Sequence, residues 1–498
     1  MVQSITVIGG TSSGNLTGLV TVPLDNASPS GFVNSLQALL GSNGSTGYSD
    51  SVNAGALYLN NLNVAGINGA VAFGANNTTV PGILELTNTD STGSVHSGSA
   101  NISGAVPSNY STLIVQAPGG ETISGNGSNN FLAVFGGNSS VNFNAPGGSG
   151  TVVASGNDNL ALGGGVWSVV GGDLGNNVLI TNASSVSATL NGAGNSSAGA
   201  PSNQIGSYSQ NLSVLSNGTN DFIITAAGQN TVTVTGFANV SDYGAADTVY
   251  ATGSGSVNMS FGSQGGTLDF INQSTSASKV NAQVDPATGL ITSPGSVTVF
   301  GGAGGGVYNG GHDGNNSLVG GSGVVTLYGA GMTNYLYADG AAAGGQQNYL
   351  NAVSGTNDTL IAGSGTTNNT FAMGTGTDIV STNGSGLQVF AVGTSGSETL
   401  TGSTVAGANN VFLFDQTTAQ GGGTDIITNF ASASGAEAYI NFFGQSTPSV
   451  TIAGFGSIVG GYGAFAGTEI ALSNGTTIKL LGVSASSFNS SIVGGTTF

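Results

Sequence analysis

The 498-residue chain contains no cysteine and only two basic side chains, Lys279 and Lys479. The first absence excludes disulfides, thiol proteases and Cys-ligated zinc sites. The second excludes the binding of nucleic acid, because nothing is available to neutralise the phosphates. An anionic membrane surface would lack counter-charges for the same reason. We therefore predict that the protein binds no nucleic acid.

Charged residues of either sign are also scarce. They make up 5% of the chain, and with 21 acidic side chains the net charge is −19. An ordinary globular protein carries about a quarter of its residues as charges. The acids are scattered, and the two histidines, His96 and His312, lie far apart in the sequence. No acid–base pair or Ser-His-Asp pattern emerges from these positions. The sequence predicts that the chain is not an enzyme.

Long apolar runs are missing as well. No window approaches the ~18 consecutive apolar residues of a membrane span, so we predict no membrane insertion. The first ten residues lack the cationic segment and the apolar stretch of a cleaved signal peptide. They read instead as a first β-strand.

Glycine, by contrast, is abundant, with 89 residues, and it recurs in one pattern. The pattern is glycine, one or two small residues, Asn or Asp, and then two or three apolar residues. Glycine and Asn/Asp favour tight turns, and the apolar residues after them favour a short strand. A repeated turn and strand predicts an all-β fold of stacked short strands, a parallel β-solenoid or β-roll-like structure. The pattern starts at Gly127, Gly156, Gly175, Gly218, Gly314, Gly355 and Gly407.

Three regions follow from these patterns. Residues 1–100 are predicted to be a small β-rich region, residues 101–430 the solenoid-like repeats, and residues 431–498 a C-terminal cap. The first region carries one predicted helix near residues 29–40, because Ser28 and Pro29 suit a helix start and Gly41 suits its end. We expect this helix to pack as an end cap on the β structure, and the alternative is a helix that binds a partner.

Two segments carry a family resemblance. Gly374-Thr-Gly-Thr-Asp378 and Gly421-Gly-Gly-Thr-Asp425, each followed by isoleucine, resemble the Gly-Gly-x-Gly-x-Asp nonapeptides of the repeats-in-toxin family. Those proteins form calcium-binding β-rolls and leave the cell by type I secretion. The resemblance implies calcium ligands at Asp378 and Asp425. It covers the C-terminal third of the chain.

The tail extends this resemblance. Residues 423–430 are similar to the segment that closes such β-rolls, residues 474–483 to the family's last hairpin, and residues 490–498 to an uncleaved C-terminal secretion signal. The resemblance therefore implies an extracellular protein that is secreted without an N-terminal signal peptide and then lies at the cell surface or in the surrounding matrix.

Calcium is expected at few sites or at none. Elsewhere in the repeat, asparagine stands near the position of a ligand carboxylate, as at Asn176, Asn315 and Asn409. Calcium prefers several charged oxygen ligands, so each such exchange lowers the affinity. These asparagines are better suited to neutral ladders that hydrogen-bond from coil to coil.

The function predicted from the sequence is structural. A long β surface with few charges suits a secreted protein that assembles with copies of itself into an extracellular filament or surface layer, as in a biofilm matrix or cell envelope. The alternative is an adhesin, or an ice- or glycan-binding solenoid, with a surface glycan as its partner. A polysaccharide-degrading β-helix enzyme is the third hypothesis.

Overall fold

A computed structural model describes the protein over the ranges given below, and none of these ranges contains a helix. The predicted helix at 29–40 lies outside them. The described ranges are 3–9, 18–24, 68–72, 82–87, 98–103, 110–116, 121–124, 130–135, 140–143, 150–154, 158–171, 177–191, 203–262, 267–282, 295–312, 314–339, 347–353, 355–365, 368–393, 395–415, 422–430, 436–443, 450–460, 463–472, 474–484 and 493–494.

The chain divides into two units, Met1–Asp247 and Thr248–Phe498. The strands that lie wholly in the first unit are β1 (Gln3–Gly9), β2 (Gly18–Leu24), β3 (Asn68–Ala72), β4 (Gly82–Thr87), β5 (Gly98–Ser103), β6 (Tyr110–Gln116), β7 (Glu121–Ser124), β8 (Asn130–Phe135), β9 (Ser140–Phe143), β10 (Gly150–Ala154), β11 (Asn159–Leu162), β12 (Val166–Gly171), β13 (Asn177–Thr181), β14 (Ser185–Leu190), β15 (Asn203–Ser207), β16 (Asn211–Ser216), β17 (Asp221–Thr225), β18 (Gln229–Val234) and β19 (Phe237–Asp242).

Strand β20 (Ala246–Ala251) includes the boundary between the units. The strands that follow it are β21 (Ser256–Phe261), β22 (Thr267–Asn272), β23 (Ser278–Ala282), β24 (Ser296–Phe300), β25 (Gly306–Asn309), β26 (Asn315–Gly320), β27 (Val325–Tyr328), β28 (Thr333–Ala338), β29 (Gln347–Asn351), β30 (Thr359–Gly365), β31 (Asn368–Ala372), β32 (Ile379–Gly384), β33 (Leu387–Val392), β34 (Thr399–Thr401), β35 (Asn409–Asp415), β36 (Thr424–Thr428), β37 (Glu437–Phe443), β38 (Val450–Gly460), β39 (Gly463–Leu472), β40 (Thr477–Leu481) and β41 (Val493–Gly494).

In the first unit, strands two apart in sequence pair in parallel and form two stacks. The odd-numbered stack runs from β3 to β19. The even-numbered stack runs from β4 to β18. Strands β1 and β2 form a separate antiparallel pair. Because each coil contributes one strand to each stack, the unit is a parallel β-solenoid.

The second unit repeats this arrangement and ends differently. Its odd-numbered strands stack in parallel from β21 to β37 and then β41. Its even-numbered strands stack from β22 to β36 and then β40. Strand β40 then pairs antiparallel with β39, and β39 with β38. These antiparallel strands end the even-numbered stack.

The solenoid follows from strict alternation within short strands. Strand β28 reads exposed, buried, exposed, buried, half-buried, buried, as expected where every second side chain points inward. Leu360, Val380 and Leu400 lie in register in three successive coils, and all are fully buried. Each coil therefore buries its apolar residues against the same positions of the next coil.

Aromatic side chains fill part of the odd-numbered face of the second unit's core. Phe371, Phe390 and Phe412 occupy one register position in three successive coils and are fully buried. Their ring centroids lie 5.1 Å and 4.6 Å apart, which is stacking distance. The interior of the coils is thus a packed core and not a channel.

The predicted fold class is confirmed: the described chain is all-β, with parallel short strands stacked as a β-solenoid. Strands β3, β4 and β5, which begin before residue 101, already pair in parallel. Strands β37, β40 and β41, which follow residue 430, also have parallel partners. The division at residues 100 and 430 stays a prediction.

Candidate functional site

Four acidic side chains of the second unit occupy one position in four successive coils. The residues that follow them, Thr359, Ile379, Thr399 and Ile426, pair in register along the even-numbered stack. The four acids point into the core, and none is more than 1% exposed. We call them the carboxyl row, and its members are Asp358, Asp378, Glu398 and Asp425.

Backbone N–H groups from one coil bind the carboxyl groups of the next. The N–H of Asp358 donates to Asp378 Oδ1 at 2.9 Å, and the N–H of Glu398 donates to Asp425 Oδ1 at 3.2 Å. At the start of the row, Asn334 donates its side-chain Nδ2 to Asp358 Oδ1 at 2.8 Å. Asn316 donates in turn to Asn334 at 2.9 Å. The row thus continues a ladder that begins with neutral amides.

The odd-numbered stack carries a neutral counterpart. Asn348 donates to Asn369 Oδ1 at 3.0 Å, and Asn369 donates to Gln388 Oε1 at 2.7 Å. All three side chains are buried. The predicted coil-to-coil amide ladder therefore exists, but on other residues than those the sequence indicated: Asn315 is exposed and Asn409 is half-buried, and each precedes a buried asparagine. Asn176 lies outside the described residues.

Shorter polar rows also lie in the described part of the first unit, and two of them join an asparagine to an acid. In one, Asn203 donates to Asp221 Oδ1 at 2.9 Å. In the other, Asn230 donates both its backbone N–H and its side-chain Nδ2 to Asp247 Oδ1, each at 2.9 Å. A further buried acid, Asp242, lies within hydrogen-bond reach of Asp247. Buried acids are thus a feature of both units.

The glycine of the recurring motif is explained by these acids. A Cβ on Gly218 would fall far inside van der Waals contact with Asp221, and a Cβ on Gly355 would do the same with Asp358. The Gly218 N–H also donates to Asp221 Oδ2 at 3.1 Å. The acid that follows each glycine therefore folds back over it and enters the core at the strand's start. Glycine is needed here for close approach.

Burial raises the pKa of every acid in the carboxyl row. Loss of solvation lifts the pKa of Asp358 to about 6, and the charge of Asp378 adds to the effect. Burial also raises the pKa values of Asp378 and Asp425. The pKa of Glu398 rises to about 10, first through burial and then through Asp425 and Asp378. Burial therefore shifts each acid of the row toward its protonated form.

The chain has almost no positive charge to oppose this effect. Lys279 is exposed, and Lys479 pairs in register with Ile426, at an outward position. Adjacent coils lie about 5 Å apart, and two unit charges at that distance repel by about 3 kcal/mol at an effective dielectric constant of about 20. Ionised carboxylates side by side in such a row therefore repel one another unless a proton or a cation lies between them.

The two residues predicted as calcium ligands, Asp378 and Asp425, lie in this row, two coils apart, with Glu398 between them. Both oxygens of Asp378 accept backbone N–H groups, one from Asp358 and one from Gly374. N–H donors compete with a cation for the same lone pairs. The calcium assignment stays a prediction. Over the described ranges, no group of three or more acidic, histidine or cysteine side chains lies close enough together to hold a metal ion.

The sequence patterns do not identify two members of the row, Asp358 and Glu398, as site residues. Asp358 falls in a recurring turn motif, and no nonapeptide contains Glu398. A signal existed in the spacing, because Asp358, Asp378 and Glu398 recur at one constant interval, which is the length of a coil. Asp425 follows after a longer interval, and the longer coil conceals its register.

Among the residues that the structure describes, no helix is long and apolar enough to cross a membrane. Comparison with known proteins adds no relative: no protein-family model, no curated protein and no solved structure matches this chain.

Proposed function

We propose that the protein is a secreted structural component that assembles with copies of itself into an extracellular filament or surface layer. The observation that carries the proposal is the lack of charge on the outward sheet faces of the second unit. Every outward residue of the even-numbered stack from β24 to β36 is uncharged. Every outward residue of the odd-numbered stack from β25 to β33 is uncharged as well.

These faces combine hydroxyl, amide and apolar side chains. One outward row of the even-numbered stack contains Thr298, Ser317, Tyr335, Thr359 and Ile379 in register. Tyr335 and Ile379 are 40% and 53% exposed. Such a face can pack against a second copy without desolvating an ion, which is the main cost of burying a charged surface. Flat solenoid faces of this kind suit lateral assembly.

The adhesin and ice-binding alternative receives less support from the packing. Thr231-Val-Thr-Val-Thr235 places Thr231 and Thr233 outward, but their register neighbours in the preceding coil are Ser213 and Leu215. A regular threonine ladder is therefore not formed there. The carboxyl row does not support the polysaccharide-degrading alternative, because its acids are buried.

A single charge on the outward face should prevent assembly. We expect Ile379→Lys to abolish the polymers formed by the wild type, because the lysine would be buried without a partner at the interface. The matched control is Asn357→Lys, which adds the same charge at an exposed turn residue on the preceding coil. Negative-stain electron microscopy and light scattering report the outcome.

The proposal fails if the wild type stays monodisperse at all concentrations, salt levels and pH values. Equal polymerisation of both lysine variants would contradict the assignment of the interface to this face. Specific binding of a glycan by a monodisperse wild type would favour the adhesin.

Export through the C-terminus is tested separately. In a host with a type I exporter, the chain without residues 431–498 should stay inside the cell. A carrier domain fused to residues 423–498 should reach the medium, which removes misfolding of the truncated solenoid as an explanation. Retention of the carrier fusion, or release of the truncated chain, would contradict this route.

A further inference from the structure

One outward column of the even-numbered stack in the second unit is apolar over five successive coils. Its members lie in β22, β24, β26, β28 and β30, and they pair in register from each coil to the next. Phe300 is 50% exposed, and the other four side chains are half-buried. Contiguous apolar patches on a protein surface mark interaction sites. We call this column the apolar stripe, and its members in coil order are Ile271, Phe300, Val319, Tyr337 and Ile361.

The side chains of the apolar stripe are arranged as a palindrome. The two ends are isoleucines, the second and fourth members are aromatic, and the middle member is the smallest. A two-fold axis that passes through β26, parallel to the strands, would place like residues opposite each other. Ile271 would face Ile361 of the second copy. Phe300 would face Tyr337, and Val319 would face itself. All coils share a spacing of about 4.8 Å, so these pairings come into register together. Such self-complementarity is what a contact between two identical surfaces requires.

The charges beside the apolar stripe favour the same arrangement. Two acids border the stripe: Asp269 is exposed in β22, and Asp339 is exposed directly after β28. With the axis at β26, the coil of Asp269 faces the coil of β30, and the coil of Asp339 faces the coil of β24. The outward residues of β24 and β30 are uncharged, so neither acid meets an acid of the second copy. An axis along the solenoid would instead bring each acid into one layer with its own copy, where like charges repel.

The area of this contact indicates how strong it is. Five coils with strands of about six residues present a face of about 24 Å by 20 Å. Two such faces bury on the order of 1,000 Å², which is near the lower limit for specific interfaces. Sheets that pack face to face would enclose the apolar stripe as a dry centre, with Thr298, Ser317 and Thr359 of the neighbouring column toward the polar rim. The expected pairing is therefore weak and reversible.

We propose that two copies of the chain pair face to face through the apolar stripe, with their solenoid axes antiparallel and a two-fold axis at β26. This inference rests on the proposed function, because it assigns the contact between copies to one column. A contact between identical surfaces closes on itself. Growth into a filament or layer therefore needs a second contact. Residues further along the same face, such as Ile379 in β32, lie outside the five paired coils.

The lack of cysteine allows a direct test, because a single introduced thiol is unique in the chain. A bismaleimide with a span of about 10 Å, the distance between packed sheets, should crosslink Val319→Cys to a dimer. Ile271→Cys and Ile361→Cys should each stay monomeric alone, because the two-fold axis keeps each about 20 Å from its own copy. The two should crosslink when they are mixed. Asn357→Cys, at an exposed turn, controls for chance collisions.

A charge at the two-fold axis provides a second test. Val319→Lys should raise the dissociation constant of the pair, measured by sedimentation, at least about a hundredfold, because two lysines would face each other in a dry contact. General repulsion between copies cannot explain such a loss, since an added cation reduces the net charge of −19. The control Asn357→Lys adds the same charge outside the contact and should leave the dissociation constant unchanged.

The outcomes separate this pairing from the proposed function. Equal crosslinking of Val319→Cys and Asn357→Cys, crosslinking of Ile361→Cys with itself, or unchanged pairing of Val319→Lys would overturn the two-fold contact. If the wild type still polymerises in that case, the proposed function survives through another contact. If the wild type pairs through Val319 but never polymerises, the pairing stands and the proposed function fails. A wild type that is monomeric under all conditions defeats both.

Discussion

Replacing Phe390 by alanine should lower the free energy of unfolding of the second unit by about 3–5 kcal/mol. The ring is fully buried and lies between Phe371 and Phe412, with centroid distances of 5.1 Å and 4.6 Å. Its removal would leave a cavity between three coils, and a solenoid repairs a cavity poorly because each coil is held in register on both sides. Denaturant unfolding of the full chain measures the change.

Phe300→Ala is the matched control for this experiment. Phe300 lies on the outward face of the same unit and is 50% exposed, so its removal opens no cavity. We expect a loss below about 1 kcal/mol. Equal losses from the two substitutions would show that the aromatic row does not form the core.

The second large effect is expected at a motif glycine. Gly218→Ala should cost about 1–3 kcal/mol, because the added Cβ would collide with the buried Asp221 carboxyl group. That carboxyl group is fixed by Asn203 at 2.9 Å and by the Ser216 hydroxyl, so it cannot move aside freely. Thermal or denaturant unfolding of the first unit measures the loss.

Two further variants separate this collision from a general intolerance of alanine. Gly206→Ala, in β15 of the same unit, adds a Cβ with no atom within 4 Å, and it should be neutral or slightly stabilising. In the double variant Gly218→Ala/Asp221→Ala, the two losses should be less than additive, since the second change removes the obstacle. Strict additivity would refute the close-approach explanation.

The calcium prediction shows which buried acids a sequence motif can identify and which it cannot. The nonapeptide pattern selects Asp378 and Asp425 as unusual acids, and the structure brings both into one row. The pattern could not select Glu398, which stands between them, because the motif describes a turn and not the register of neighbouring coils. Nor could it indicate Asp242 and Asp247, whose contact depends on how β19 and β20 begin and end.

The sequence by itself determined the fold class and much of the surface. Alternating apolar residues between glycine turns admit only short strands, and a long series of short strands with few charges buries its apolar side chains by stacking. The scarcity of Lys and Arg also left almost no basic partner for a buried acid. These properties depend on composition and local pattern, so no tertiary information was needed.

Only the tertiary structure decided which side chains meet. Successive coils differ in length: Leu160 pairs in register with Leu179, and Leu179 pairs with Ile205 across a longer stretch of chain. Because strand side chains alternate, a shift of one residue turns an inward acid outward. Register therefore determines whether an Asn or Asp is a turn residue or a member of a buried ladder. The raised pKa values then arise from burial and neighbouring acids, which exist only once the coils are stacked.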